Sequence, residues 1–344
     1  MAYTTIKKPS DYFNTKLYTG TGASQSITGV GFQPDLNWTK DRNATENHSL
    51  TDAVRGATKR LFSNTTGAES INVASLTSFD SDGFTVGGAG THGTNGNNYV
   101  SWNWLANGTG VSNTDGSITS TVSANTTSGF SIISRTGTGS VGTVGHGLGS
   151  VPKMIITKKI SASDNWGVYH SSLGATKYLV LNDTSSVGTS TSPFNNTEPT
   201  SSVFTVGTGT TWNGSGETFI DYCFAEKKGF SKAFSYTGNG SSDGSFCYLG
   251  FRPAFIMIKG TSIYSDWGIW DNKRPEYNVV NLTLQPHKDN AEVVSVGRDI
   301  DILSNGFKGR GTSSSMNSSG ATYVGIAFAE SPFVASTGIP TTAR

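Results

Sequence analysis

At 344 residues the chain is long enough for about two or three domains, and with 14% charged residues and a net charge of +1 it carries no field pointing to nucleic acid or to an anionic membrane. Forty-three glycines among abundant Ser, Thr and Asn disfavour helices and predict an all-β protein. No run of about 18 apolar residues is present and the first residues lack a signal-peptide core, so folding in a cytoplasm without membrane insertion is expected; two cysteines, Cys223 and Cys247, exclude a disulfide framework or a four-cysteine zinc site.

Residues 1–16 read as an N-terminal arm, too short and too free of heptads for a coiled-coil stalk, and suited to insertion into a neighbouring chain. From Leu17 the stretch LYTGTGASQSITGVGFQPDLNWTKDR opens a pattern that returns as SRTGTGSVGTVGHGLGSVPKMIITKK from Ser134 and as SYTGNGSSDGSFCYLGFRPAFIMIKG from Ser235. Each copy has a Thr-Gly-x-Gly turn, a proline and an apolar run closed by a lysine, Lys40, Lys158 or Lys259. Ser49 to Leu61 is the one segment that predicts a short helix, interrupted by Gly56. Ser81-Asp82-Gly83-Phe84 predicts a tight hairpin, echoed by Ser304-Asn305-Gly306-Phe307 and more weakly by Ser202-Val203-Phe204. The Asp80–Gly83 run superficially evokes a calcium loop, but no Glu stands at the twelfth loop position and the third copy has Asn305 for Asp82, so no metal is expected.

The copies end alike: NNYVSWNWLA from Asn97, GETFIDYCFA from Gly216 and GATYVGIAFA from Gly320. Period-two alternation puts Val100, Trp102 and Trp104 on one strand face, equivalent to Ile220, Tyr222 and Phe224 and to Val324, Ile326 and Phe328. Because isoleucine stands where Trp102 does, the tryptophan pair is expected in a core rather than on a sugar platform. Cys223, opposite in facing and equivalent to Asn103 and Ala327, reads as a small packing residue. The expected architecture is three tandem antiparallel β-sandwich modules, jelly-roll or lectin-like, over residues 17–108, 132–229 and 230–333. Residues 109–131 read as a Ser/Thr/Asn-rich linker hairpin or an added edge strand, and 334–344 as a C-terminal tail.

Motifs of catalysis fail on context. Gly137-Thr138-Gly139-Ser140-Val141-Gly142 fits the dinucleotide pattern but no helix can follow, and Gly240-Ser241-Ser242-Asp243-Gly244 matches a nucleophile elbow inside what is a repeat turn. His48, His92, His146, His170 and His287 are scattered without ligand spacing, and no carboxylate recurs in all three copies. No enzyme activity and no cofactor are expected. The binding candidates lie on Asp164-Asn165-Trp166-Gly167-Val168-Tyr169-His170 and its echo Asp266-Trp267-Gly268-Ile269-Trp270-Asp271. Alternation sends Trp166 and Trp267 inward and Tyr169 and Trp270 outward beside a glycine, a shallow ledge for a sugar or protein surface unless a second sheet covers it. Tyr169, His170, Trp270 and Asp271 are the expected contact residues, and His48 and Asp52 fall roughly in this region of the first copy.

The opening Tyr12-Phe13-Asn14-Thr15-Lys16-Leu17-Tyr18-Thr19-Gly20, the segment Asp52-Ala53-Val54-Arg55-Gly56-Ala57 and the ending Ala327-Phe328-Ala329-Glu330-Ser331-Pro332-Phe333 resemble a family of virion proteins of marine tailed bacteriophages, described as tail-fibre-like or structural. Family members often carry an aliphatic residue where Asn37 stands, and the family offers no catalytic residues to carry over. The resemblance implies a virion location after folding in the host cytoplasm, with other virion proteins and further copies of the chain as partners. A compact fibre, spike or tip subunit touching host-surface glycan is expected; the alternative is a capsid-decorating or tail-assembly protein with a purely architectural role.

Overall fold

A computed structural model describes residues 4–332 except Ser295; Phe333 and the expected tail 334–344 lie outside the described residues. The chain is all-β. Apart from a 3-10 turn at Pro9–Asp11 and two four-residue helical turns, Gly90–Gly93 and Thr210–Asn213, its regular elements among the described residues are strands, and no helix there is long and apolar enough to cross a membrane.

The sequence repeat is a topological repeat. One large sheet runs Phe13–Thr19, Asn98–Trp104, Leu36–Asp41, Ser49–Asp52, Lys59–Phe62; a second contains Phe130–Thr136, Thr218–Ala225, Pro152–Lys159, Trp166–His170, Lys177–Val180 in the same order. The third runs Ser231–Thr237, Thr322–Pro332, Phe251–Gly260, Trp267–Asp271, with the fifth strand reduced to a bridge between Ile269 and Leu284. In each copy the last strand lies between the first and second. Register makes the equivalence residue-specific: Trp38 faces Trp102 as Ile156 faces Tyr222 and Met257 faces Ile326, while Asn37 faces Asn103 as Ile155 faces Cys223 and Ile256 faces Ala327.

Each copy has its own core between its large and smaller sheets, and the inner faces of the three large sheets also meet in one shared core, which the reading of tandem modules did not include. Trp104 packs against Phe13 of its own sheet, Phe130 and Phe224 of the second, and Phe255 and Phe328 of the third, at ring separations of 4.9 to 6.4 Å. Trp102, Trp104, Val324, Ile326 and Phe328 are all buried, as expected of core residues. Each outer face is covered by a smaller sheet from its own copy: Gln25–Thr28, Gly83–Val86 and Leu76–Asp80; Gly142–Gly145 with Val203–Val206; or Phe246–Tyr248, Gly306–Gly309 and Ile300–Leu303. Apolar side chains seal each smaller sheet onto its large one, as Phe204 and Val206 do against Ile133 and Ile155.

The copies are laced into a ring by equivalent backbone bonds. Glu69 N donates to Ile160 O, Val187 N to Thr261 O and Glu292 N to Arg42 O, each at 2.9 Å. The recurring lysine belongs to the same lacing. Lys158 Nζ donates to Thr66 O of the preceding copy (3.0 Å) and to Asp164 O (2.8 Å); Lys259 Nζ does the same with Thr184 O (2.9 Å) and Ser265 O (2.7 Å). Lys40 Nζ instead holds Asp41 O and Ala44 O within its own copy. All three side chains are buried and bonded to uncharged oxygens, so burial pulls their pKa values down to about 8.

Other expectations need correction. Ser49 to Leu61 is not helical but a pair of strands joined by a turn, because Leu50 and Leu61 pair across the sheet and the Asp52 carboxylate accepts from Arg55 N at 2.9 Å. Of the expected arm, residues 4–16 pack onto this chain's own body: Ile6 and Phe13 are buried, and Phe13 begins the first strand. Residues 109–131 do add strands to the second sheet, as expected, with Val111–Asn113 at its edge and Ser120–Asn125 next inside, which widens it to eight. The turns before Gly83 and Gly306 do form hairpins, but both glycines also serve close approach: a Cβ would lie 1.9 Å from Ile27 O or 2.0 Å from Cys247 O.

Candidate functional site

Tyr169 and Trp270 face away from the shared core, as alternation predicted, but the expected ledge does not exist because their own copies' outer layers bury them to 1% and 0% exposure. The Tyr169 ring meets Phe194 edge-on at 5.4 Å and its hydroxyl donates to the Glu198 carboxylate. Trp270 lies over Gly268, where a Cβ would come within 2.3 Å of the ring, and its Nε1 donates to Arg298 O at 2.9 Å. Trp166 and Trp267 point into the shared core, as expected.

His170 and Asp271 are also buried, and with Asp52 they occupy one repeated position, each beside the central strand of another copy. Asp271 Oδ2 accepts from Trp102 Nε1 at 3.1 Å and pairs with Arg274 at 2.6 Å; Asp52 Oδ2 accepts from Tyr222 OH at 2.8 Å and pairs with Arg55 at 2.5 Å. Glu292 and Glu69 extend these pairs outward to Arg274 and Arg55, and Arg42 adds a second cation to Glu292. In the second copy the arginine is replaced by Leu173. His170 Nδ1 accepts from Ser172 N, which assigns the proton to Nε2 and its bond to Gly325 O at 3.1 Å; burial drops this imidazole to about 4 and keeps it neutral at pH 7. These networks join modules, with Asp52, His170 and Asp271 buried inside them. Cys223 is fully buried, with its thiol pushed up by burial, and no cluster of three metal-ligating side chains occurs among the described residues.

The aromatic chain that starts at Tyr169 does reach the surface elsewhere. Phe194 meets Trp212 at 4.9 Å and Trp212 meets Tyr178 at 5.9 Å, at angles of 67° and 77°, and the last two line a groove of about 270 Å³ on the outer side of the second copy. Asn165, Ser190, Ser192, Thr210 and Thr211 complete its polar rim. Trp212 stands on the helical turn Thr210–Asn213, which Arg135 holds in place: its guanidinium pairs with Asp221 at 2.7 Å and donates to Trp212 O at 2.8 Å. Gly167 gives the indole its seat, since a Cβ there would lie 2.0 Å from the ring, and Gly188 does the same for Tyr178. Sequence reasoning passed over Trp212. The signal lay in the repeat: the equivalent position, fixed by the bonds of Gly22, Gly139 and Gly240 to Gly93, Asn213 and Asn317, holds His92 in the first copy and Met316 in the third.

No curated protein matches the chain. Residues 8–332, spanning all three sheets and the groove, match the family described as a domain of unknown function (DUF7483), and the chain belongs to that family.

Proposed function

We propose that the chain is a non-catalytic structural subunit of a bacteriophage tail, a compact fibre, spike or tip component that touches the host surface. The observation that carries the non-catalytic part is the fate of the buried charge: Asp52, Asp221 and Asp271 each pair with an arginine at 2.5 to 2.7 Å inside the fold, so the groups able to do acid, base or nucleophilic work serve cohesion instead. The likeness to virion proteins supports the location, and the groove beside Trp212 supports contact with a ligand. A body with one shared core and glycine-rich loops suits display in many copies, where weak contacts add by avidity.

Localisation by cryo-electron microscopy or labelled antibody on intact particles tests this reading. Density for the chain at the tail, with adsorption blocked by the soluble protein, is the expected result; absence from purified particles refutes it. One observation favours the capsid-decorating alternative: Tyr277, Val293, Val294 and Val296, 54% to 96% exposed, stand out from one segment of the third copy as a neighbouring protein's contact would. Regular spacing on the capsid face would select that alternative.

A further inference from the structure

We propose that the groove between Trp212 and Tyr178 binds a single uncharged pyranose ring, which gives the host-contact role its ligand and rests on that role. Its size suits one ring: about 270 Å³ lies just below the roughly 300–1,000 Å³ of pockets that enclose drug-sized ligands. Its chemistry excludes charge, since none of the twelve lining residues is acidic or basic. A carboxylate or phosphate on the ligand would lose its hydration without meeting a cation.

Its polar groups fit hydroxyls. Among the described residues, Asn165 Nδ2, Tyr178 OH, Ser192 Oγ, Thr210 Oγ1 and Trp212 Nε1 line the groove without a hydrogen bond inside the protein. Two are pure donors and three can donate or accept, the mixture that vicinal hydroxyls require. The half-buried Tyr178 ring offers the apolar surface that the C–H face of a sugar seeks, above the Trp212 indole, which is 6% exposed at the groove's floor and inclined at 77° to it. The site is also built beforehand: Gly167, Phe194 and the bond from Arg135 hold the indole in place, so binding orders little. Neither other copy can reproduce it, because His92 and Met316 stand where Trp212 does and Arg60 and Thr283 where Tyr178 does.

The test uses the full chain, ¹⁵N-labelled, titrated with the methyl pyranosides of glucose, galactose, mannose and N-acetylglucosamine, and separately with glucuronate and sialic acid. Of the seven indole signals, the one lost in Trp212→Phe reports the groove. The expected result is a saturable shift of that signal with at least one neutral sugar below about 100 mM, weakened about tenfold in Tyr178→Ala while the rest of its spectrum shows the fold retained. No shift with any neutral sugar, or an equal shift with the two acids, overturns the proposal. A particle whose adsorption depends on the chain while no sugar moves the Trp212 signal defeats the sugar and spares host contact. Sugar binding with adsorption indifferent to Tyr178→Ala does the reverse.

Discussion

Replacing Asn37 by isoleucine, the residue that both other copies carry there, should destabilise the protein unless Asn103 is changed with it. The first copy has a polar layer where its sisters have Ile155 with Cys223 and Ile256 with Ala327. Asn37 Nδ2 donates to Asn103 Oδ1 at 2.9 Å and Asn37 Oδ1 accepts from Thr39 at 2.7 Å, all three residues being 0% exposed. Asn37→Ile therefore strips partners from two buried groups at about 1–3 kcal/mol each, against about 1.5–3 kcal/mol from the added apolar burial. The net expectation is a loss of about 1–3 kcal/mol. Asn103→Ala alone leaves Asn37 Nδ2 without its acceptor at a similar cost. The double variant counts their shared bond once instead of twice, so urea midpoints at constant m should return a coupling of about 1–2 kcal/mol. Additivity of the two losses within about 0.5 kcal/mol would refute a shared buried bond.

Trp270→Ala should behave as a core truncation, costing about 3–5 kcal/mol in chemical denaturation; a loss under about 1 kcal/mol would mean its covering layer is loose. Phe13→Ala, which empties the contact with Trp104, Phe255 and Phe328, should cost a similar amount and lower Tm, whereas a dispensable arm predicts no change. Stability should rise from pH 7 to pH 9. Lys40, Lys158 and Lys259 have folded values near 8 against an ordinary 10.5, so the unfolded chain holds more protons in that window and each lysine adds about 1 kcal/mol as pH climbs. Cys223 and Cys247, kept protonated by burial, oppose the trend near its upper end. A Tm that falls steadily across the window, or Lys158→Met leaving its slope untouched, contradicts the buried-charge account.

Alternation makes strand facing legible: it gives both the inward set from Val100 to Phe328 and the outward set of Tyr169 and Trp270. Facing does not say what lies opposite. Tyr169 and Trp270 were placed on the correct side of their strands, yet the layers over them come from segments some 25 to 40 residues further along the chain, beyond the reach of a local pattern. Ser49 to Leu61 looked helical because its residues have fair helix propensity, and pairing with Leu36–Asp41 overrode that. The same limit hid the groove. Trp212 and Tyr178 lie 34 positions apart, and Gly167 and Gly188 acquire meaning only as the seats of those rings.

Three copies in one chain allow what three identical subunits would forbid, namely different chemistry at equivalent seams. At two seams a tryptophan reaches back to the preceding copy, Trp166 Nε1 to Phe62 O and Trp267 Nε1 to Val180 O, both at 2.9 Å. The seam that closes the ring, between the third copy and the first, has His48 instead, which accepts from Trp38 Nε1 at 3.1 Å while its Nε2 finds no partner. Burial, with Lys40, Arg274 and His287 nearby, holds this imidazole well below its usual value and therefore neutral. Cohesion there passes to charge: Glu292 takes Arg42 at 2.7 Å and Arg274 at 2.9 Å. That seam joins residues 250 positions apart, the costliest contact for the chain to find. Charge pairs with fixed partners contribute register more than cohesion, since a slipped pairing would strand a buried ion. At the final closure the Arg42–Glu292 ion pair crosses between copies, where at the sequential seams a tryptophan indole and a lysine ammonium cross to backbone oxygens, and the costlier closure is the one given a partner of opposite charge.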